Sequence, residues 1–173
     1  MTKIRPAEPA DHAALGRYGA SLMRQHHAAD PRRFILTERP ESGYGGFLAS
    51  QLLNPNCLVL VAELAGEVVG YVFATIEPTS WRDLRGPCGF VHDVYVDERA
   101  RRQGTGRELL AAAIDWIHSR GQSQIVLWSK PGNASAHRLF AGMGFRQTMI
   151  EMTLDREASK ATEPGASQAG RSA

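Results

Sequence analysis

The stretch VDERARRQGTGRELL, residues Val96–Leu110, decides how this chain is read. It opens as the end of a strand and passes through Arg99, Arg101 and Arg102. It then places Gly104 and Gly106 one residue apart and runs past Arg107 into Leu109 and Leu110. With Ala113, Ile114 and Ile117 those leucines form an apolar stripe at helical spacing. The first turn of a helix carries backbone N–H groups with no partner inside the helix, and the helix dipole adds partial positive charge there. Glycine removes the side chains that would hold an anion away. Strand, glycine loop and helix in this order offer a phosphate-sized socket rimmed by arginine. The same residues also suit a plain tight turn with solvated arginines. The loop lacks the third glycine of the dinucleotide fingerprint and the Gly-Lys-Ser/Thr of nucleotide-triphosphate loops.

Working outward, CGFVHDVYV (Cys88–Val96) reads as the strand that feeds this loop. Upstream, CLVLVAEL and EVVGYVFATIEP, joined by Ala65-Gly66, read as a hairpin. KIRPA is a first short strand. Asp11 to about Ala29 is helical, with Leu15, Tyr18, Leu22 and Met23 on its apolar face. A Pro/Gly-broken loop leads to a short second helix, roughly Gly46–Leu53. Downstream, QIVLWS is a fifth strand, and NASAHRLFAGM is a helix with Asn133 as its N-cap. FRQTMIEMTL closes as a final strand. The order β-α-α-β-β-β-α-β-α-β predicts an α/β fold of the α+β type. It is a mixed, largely antiparallel sheet of six to seven strands with helices on both faces. One domain is expected over residues 1–154. The remaining segment, 155–173, is rich in Ser, Ala, Gly and charge and is expected to be a disordered tail.

A length of 173 residues suits one domain. A net charge of +2 gives no global field for nucleic acid. Cys57 and Cys88 share no metal-type spacing and read as reduced thiols. The N-terminus lacks an apolar core of signal-peptide length, and no stretch approaches the roughly 20 apolar residues of a membrane span. A soluble cytoplasmic protein is expected, with neither membrane nor nucleic acid as partner.

Three pieces together carry a family resemblance. RRQGTG, Arg101–Gly106, resembles the Arg/Gln-x-x-Gly-x-Gly/Ala loop of the GCN5-related N-acetyltransferases (GNAT superfamily). VHDVYVDERAR before it is similar to their fourth strand, and NASAHRLFAGMGF, Asn133–Phe145, to their later Asn-x-x-Ala-x-x-Leu-Tyr-x-x-x-Gly-Phe segment. The similarity runs from about Lys3 to Leu154. It implies an acyl-CoA N-acyltransferase fold and an acetyl-CoA site. Backbone N–H groups of Arg102, Gln103, Gly104, Thr105, Gly106 and Arg107, beside Arg101, would hold the pyrophosphate. Val94, Tyr95 and Val96 would pair with the pantetheine arm where the fourth and fifth strands part. Asn133 would hydrogen-bond the arm, and Phe140 would pack near the thioester.

The implied reaction moves an acetyl group to a primary amine of a small molecule, or to a protein amino group, by direct attack in a ternary complex. The alternative is a non-catalytic acyl-CoA-binding or regulatory module on the same fold. A possible homodimer is likewise a family-level expectation. The attacking amine must lose a proton, and the thioester oxyanion needs a fixed donor, which the resemblance assigns to the Val94 backbone N–H. His92 and Asp93 compete as the base. A glutamate stands at the His92 position in the similar polyamine acetyltransferases. Simple alternation puts Phe90, His92, Val94 and Val96 on one face and Val91, Asp93 and Tyr95 on the other, unless a bulge intervenes. Phe140 departs from the tyrosine acid of many relatives; Tyr95, Tyr71 or His137 are substitutes among which the sequence does not choose. The acceptor pocket is expected from RQHHAADPRRFILTERPESGYGG and EPTSWRDLRG, with Arg24, Arg32, Arg33 and Arg39 in the first and Trp81 in the second.

Overall fold

The computed structural model describes residues 2–156. Five strands form one sheet: β1 (Lys3–Pro6), β2 (Cys57–Leu64), β3 (Glu67–Glu77), β4 (Cys88–Val96) and β5 (Ile125–Leu127), in spatial order β1-β2-β3-β4-β5. The first four pair antiparallel, and β5 joins β4 in parallel. The β2–β3 hairpin turns at Ala65 and Gly66, with φ of 52° and 83°, the positive pair that a twisted two-residue hairpin requires.

Helices α1 (His12–Ala29) and α2 (Pro40–Gln51) cover one face, and α3 (Thr105–Ser119) covers the other. Under α3, Leu109, Leu110, Ala113 and Ile117 pack on Leu60, Val72, Ala74 and Val91. Leu139 and Phe140 of α4 (Ala134–Ala141) join the same side. On the opposite face Leu15, Tyr18 and Leu48 pack on Val59, Val61, Tyr71, Phe73 and Tyr95. Two glycines set these distances. A Cβ on Gly89 would lie 2.2 Å from Ile117 Cγ2, so α3 rests directly on β4. A Cβ on Gly19 would lie 2.0 Å from Tyr44 Cδ1, so the bare α1 surface receives the Tyr44 ring of α2.

The α+β class, the mixed sheet and the helices on both faces match the sequence expectation; the strand count does not. FRQTMIEMTL is not a strand. Beyond Phe145 the chain runs outside the sheet, leaving Met149, Ile150, Met152 and Leu154 exposed. Strand-like residues need a neighbouring ladder, and β5 offers only three paired residues at that edge. Instead Glu151 pairs with Arg33 and Asp155 with Arg32, which ties the segment to the α1–α2 loop. The second helix starts earlier than its glycines suggest, because Pro40 fits the first helical turn. No helix among the described residues is long and apolar enough to cross a membrane. The expected disordered tail lies outside the described residues apart from Asp155 and Arg156.

Candidate active site

The site is built around an irregularity in β4. Phe73 pairs with Asp93 and Ala74 with Val91, so His92 has no partner across the ladder and forms a β-bulge. The bulge rotates the strand relative to simple alternation. Val91, Val94 and Val96 pack toward α3, whereas Phe90, His92, Asp93 and Tyr95 all meet the α1/α2 side. The expected division of β4 is corrected accordingly, and the two candidate bases end up side by side on one face.

Pairing of β4 with β5 ends at Val91–Leu127, and the two strands part beyond that point. The Asp97 N–H donates to Val69 O on β3, so by alternation the N–H groups of Val94 and Val96 face the opened side. The Val96 carbonyl accepts from Arg101 Nε at 2.9 Å, closing that end of the gap with a guanidinium.

The glycine loop stands at this same end, where a Cβ on Gly106 would lie 3.6 Å from Val96 Cγ2. Arg102 and Gly104 have φ of 61° and 92°, and α3 begins at Thr105. Glycine meets the Gly104 conformation without strain, and a Cβ there would touch nothing within 4 Å. The N–H groups of Arg102, Gln103, Gly104, Thr105 and Gly106 have no acceptor among the described residues. Arg107 reaches back to the Gly142 carbonyl and Met143 Sδ, while Gln103 donates to the Arg99 carbonyl. Thr105 is buried, with its hydroxyl 3.3 Å from that of Thr2. Asn133 caps α4 as expected, its Oδ1 accepting from the Ala136 N–H. Phe140 lies half-buried, edge-on to Phe145 at 6.0 Å.

His92 and Asp93 are held very differently. The His92 ring is stacked between Phe73 and Phe90 at 5.0 and 4.6 Å. Its Nε2 lies 2.9 Å from Thr75 Oγ1, and the Thr75 hydroxyl donates to Glu77 Oε1 at 3.3 Å. With the threonine proton spent on Glu77, Nε2 is the protonated nitrogen and Nδ1 keeps the lone pair. Arg85 in turn fixes Glu77 at 2.6 Å. Burial pushes the His92 pKa below the usual histidine value, opposed by the charges of Glu77 and Asp93.

Asp93 is buried, and Tyr44 and Tyr71 both donate to its Oδ2, at 2.7 and 3.0 Å. Burial raises its pKa above the ordinary carboxylate value, and the two phenol hydrogen bonds oppose that rise. The phenols are raised as well, first by burial and then by the Asp93 charge. That makes Tyr71 a poor proton donor. Tyr95 is buried in a stack with Tyr18 at 5.2 Å, and His137 is exposed on α4. His26 and His27 point apart, their Nδ1 atoms meeting the carbonyls of Leu22 and Phe34. Cys57 and Cys88 are free, and no His/Cys/Asp/Glu cluster suited to a metal occurs among the described residues. Sequence reasoning missed Tyr44, Thr75 and Glu77. Period-two alternation along β3 puts Tyr71, Phe73, Thr75 and Glu77 on one face, but only the bulged register sets Thr75 against His92.

The Acetyltransferase (GNAT) family profile matches residues 21–145. The chain belongs to this family. Among GNAT relatives, the uncharacterized N-acetyltransferase YhfO of Bacillus subtilis is 28% identical over 146 residues, covering 83% of this chain and 89% of that protein. A mycothiol acetyltransferase of Thermobispora bispora is 32% identical over 96 residues, 56% of this chain and 32% of its own length. The chain thus spans about a third of that longer relative. Among solved structures, a tetramutant of the BH1408 protein from Bacillus halodurans superposes with a TM-score of 0.77 at 20% identity. The match covers 88% of this chain and 99% of that one, and it shares the fold.

Proposed function

We propose that the protein is an acetyl-CoA-dependent N-acetyltransferase acting on a primary amine. The observation that carries this reading is the parting of β4 and β5 beyond Val91 beside five amides at the mouth of α3 that have no partner among the described residues. Those amides and the α3 dipole suit a diphosphate. The opened edge of β4 suits an amide-bearing arm that adds as a strand. Acetyl-CoA is the cosubstrate that combines both features with a transferable acyl group.

His92 acts as the base. Its Nδ1 takes one proton from the substrate ammonium, and the depressed pKa keeps that nitrogen free at neutral pH. The amine lone pair forms the N–C bond at the thioester carbonyl. The oxyanion is met by the Val94 N–H, and the C–S bond then breaks with its electrons leaving on sulfur. Phe140 has no proton to give. Releasing thiolate of reference pKa about 8.5 at pH 7 costs roughly 2 kcal/mol, so water relays to the sulfur the second proton that the former ammonium nitrogen loses as the amide forms. Asp93, locked by two phenols, supplies a fixed negative charge beside the base.

The test has two arms. Acetyl-CoA and CoA should each raise the melting temperature while ATP does not. Acetyl-CoA with an amine panel should release free thiol and a product heavier by one acetyl group. Stabilisation without turnover on any amine would convert the reading to an acyl-CoA-binding module, and no stabilisation would remove it.

A further inference from the structure

We infer that the acceptor is a primary amine bearing a single positive charge on an aromatic body, not a polyamine or an amino sugar. The inference rests on the acetyltransferase reading and narrows its substrate class. It starts from an unbroken run of rings on the α1/α2 face. Tyr44 meets Phe47 at 5.8 Å, and Phe47 meets Phe73 at 5.5 Å. Phe73 stacks on His92 at 5.0 Å, His92 on Phe90 at 4.6 Å, and Phe90 meets Trp128 edge-on at 5.2 Å.

The base therefore sits in the middle of an aromatic wall. One ring on either side of His92 along this wall is not core. Phe47 is 45% and Trp128 73% exposed. Trp128 follows β5 immediately, at the place where β5 leaves β4. Exposed rings at both sides of a proton acceptor supply flat apolar surface for a planar substrate body, and their faces attract a nearby cation.

Charge sets the second limit. Asp93 lies buried under the wall beside His92, and Glu77 Oε1, 3.5 Å from His92 Nε2, is already paired with Arg85, so little unmatched negative charge faces the base. Several other acidic groups nearby are committed, Glu41 to Arg24, Glu77 to Arg85, Glu151 to Arg33 and Asp155 to Arg32, while Asp30 accepts backbone N–H groups and Glu38 is exposed. Arg39 adds positive charge to those same loops, while Arg82 pairs with Asp83. A polycation would meet buried or paired carboxylates at the base and guanidinium groups on the loops, with Glu38 the exposed exception, whereas a monocationic arylalkylamine finds a surface for each of its parts.

The experiment measures kcat/KM by thiol release at saturating acetyl-CoA, using 2-phenylethylamine, tryptamine, ethanolamine, spermidine and kanamycin. The two aromatic amines should exceed the others by about tenfold or more, on the value of ring contacts. Phe47→Ala and Trp128→Ala should each lower kcat/KM for the aromatic amines about 3- to 10-fold, and Phe47→Ala, on α2, should leave the KM for acetyl-CoA unmoved. A preference for spermidine or kanamycin, or aromatic rates unchanged in both variants, would overturn the inference while leaving acetyl transfer intact. Absence of any melting shift with acetyl-CoA would overturn the parent reading instead.

Discussion

Replacing Thr75 with valine keeps the shape of the side chain and deletes the oxygen that lies 2.9 Å from His92 Nε2. The ring stays in place, because Phe73 and Phe90 hold it from both sides at 5.0 and 4.6 Å. What is lost is the nearer of the two oxygens, Thr75 Oγ1 and Glu77 Oε1, that favour the Nε2–H tautomer on which the proposed role of Nδ1 rests. One neutral hydrogen bond has a net worth of about 0.5–1.5 kcal/mol. At about 1.36 kcal/mol per factor of ten, kcat/KM for the amine should fall roughly 2- to 12-fold. The pH profile adds an independent readout. The base works when neutral, so rate disappears as pH falls through the His92 pKa, which burial already holds below the ordinary value of 6.5. Valine removes the nearer acceptor of the protonated ring and leaves only Glu77 Oε1, at 3.5 Å from Nε2. The acid limb should therefore move further down while the plateau drops, and Thr75→Ser should restore both. The assay is initial-rate thiol release across pH 5–9 at saturating acetyl-CoA. A Thr75→Val enzyme with the wild-type plateau and acid limb would refute this account of the base.

Gly104→Asp places a carboxylate where an anion is expected. Like charges 4 Å apart repel by about 4 kcal/mol at an effective dielectric of 20, so acetyl-CoA affinity by calorimetry should fall tenfold or more. Undiminished affinity in the folded variant would count against the socket. Gly19→Ala drives a methyl into the Tyr44 ring, 2.0 Å from Cδ1, and should cost about 1–3 kcal/mol by overpacking. Calorimetric melting should show a loss of several degrees; an unchanged melting temperature would contradict the close α1–α2 approach. Asp93→Asn tests linkage. The folded Asp93 pKa is raised, so its contribution to stability is present below about 3.8 and is lost as pH rises through the folded value. The melting temperature of the asparagine variant relative to wild type should accordingly increase with pH across that window, and a difference independent of pH would show that Asp93 does not titrate as described.

Local patterns were legible where a single element suffices to produce them. The α3 stripe, the Asn133 cap and the β2–β3 hairpin depend on residues a few positions apart, and all three form as expected. The opened β4–β5 edge was an implication of family resemblance, and the end of pairing at Val91 gives it a physical form. The final strand failed because propensity alone does not supply a ladder. The faces of β4 failed because a one-residue bulge inverts every side chain beyond it, and alternation carries no signal for that insertion.

The sequence by itself determined the α+β class and the glycine mouth of α3, and the family resemblance it carries named the candidate pair His92 and Asp93. Those features follow from local periodicity, backbone freedom at glycine and residue chemistry. Only the tertiary structure decided that Thr75 and Glu77 orient His92 and that Tyr44 and Tyr71 lock Asp93. These contacts join residues 17 to 49 positions apart along the chain for Thr75–His92 and Tyr44–Asp93. Such pairings are set by strand register and by helix approach through a bare glycine surface, which exist only once the sheet and its covering helices have packed.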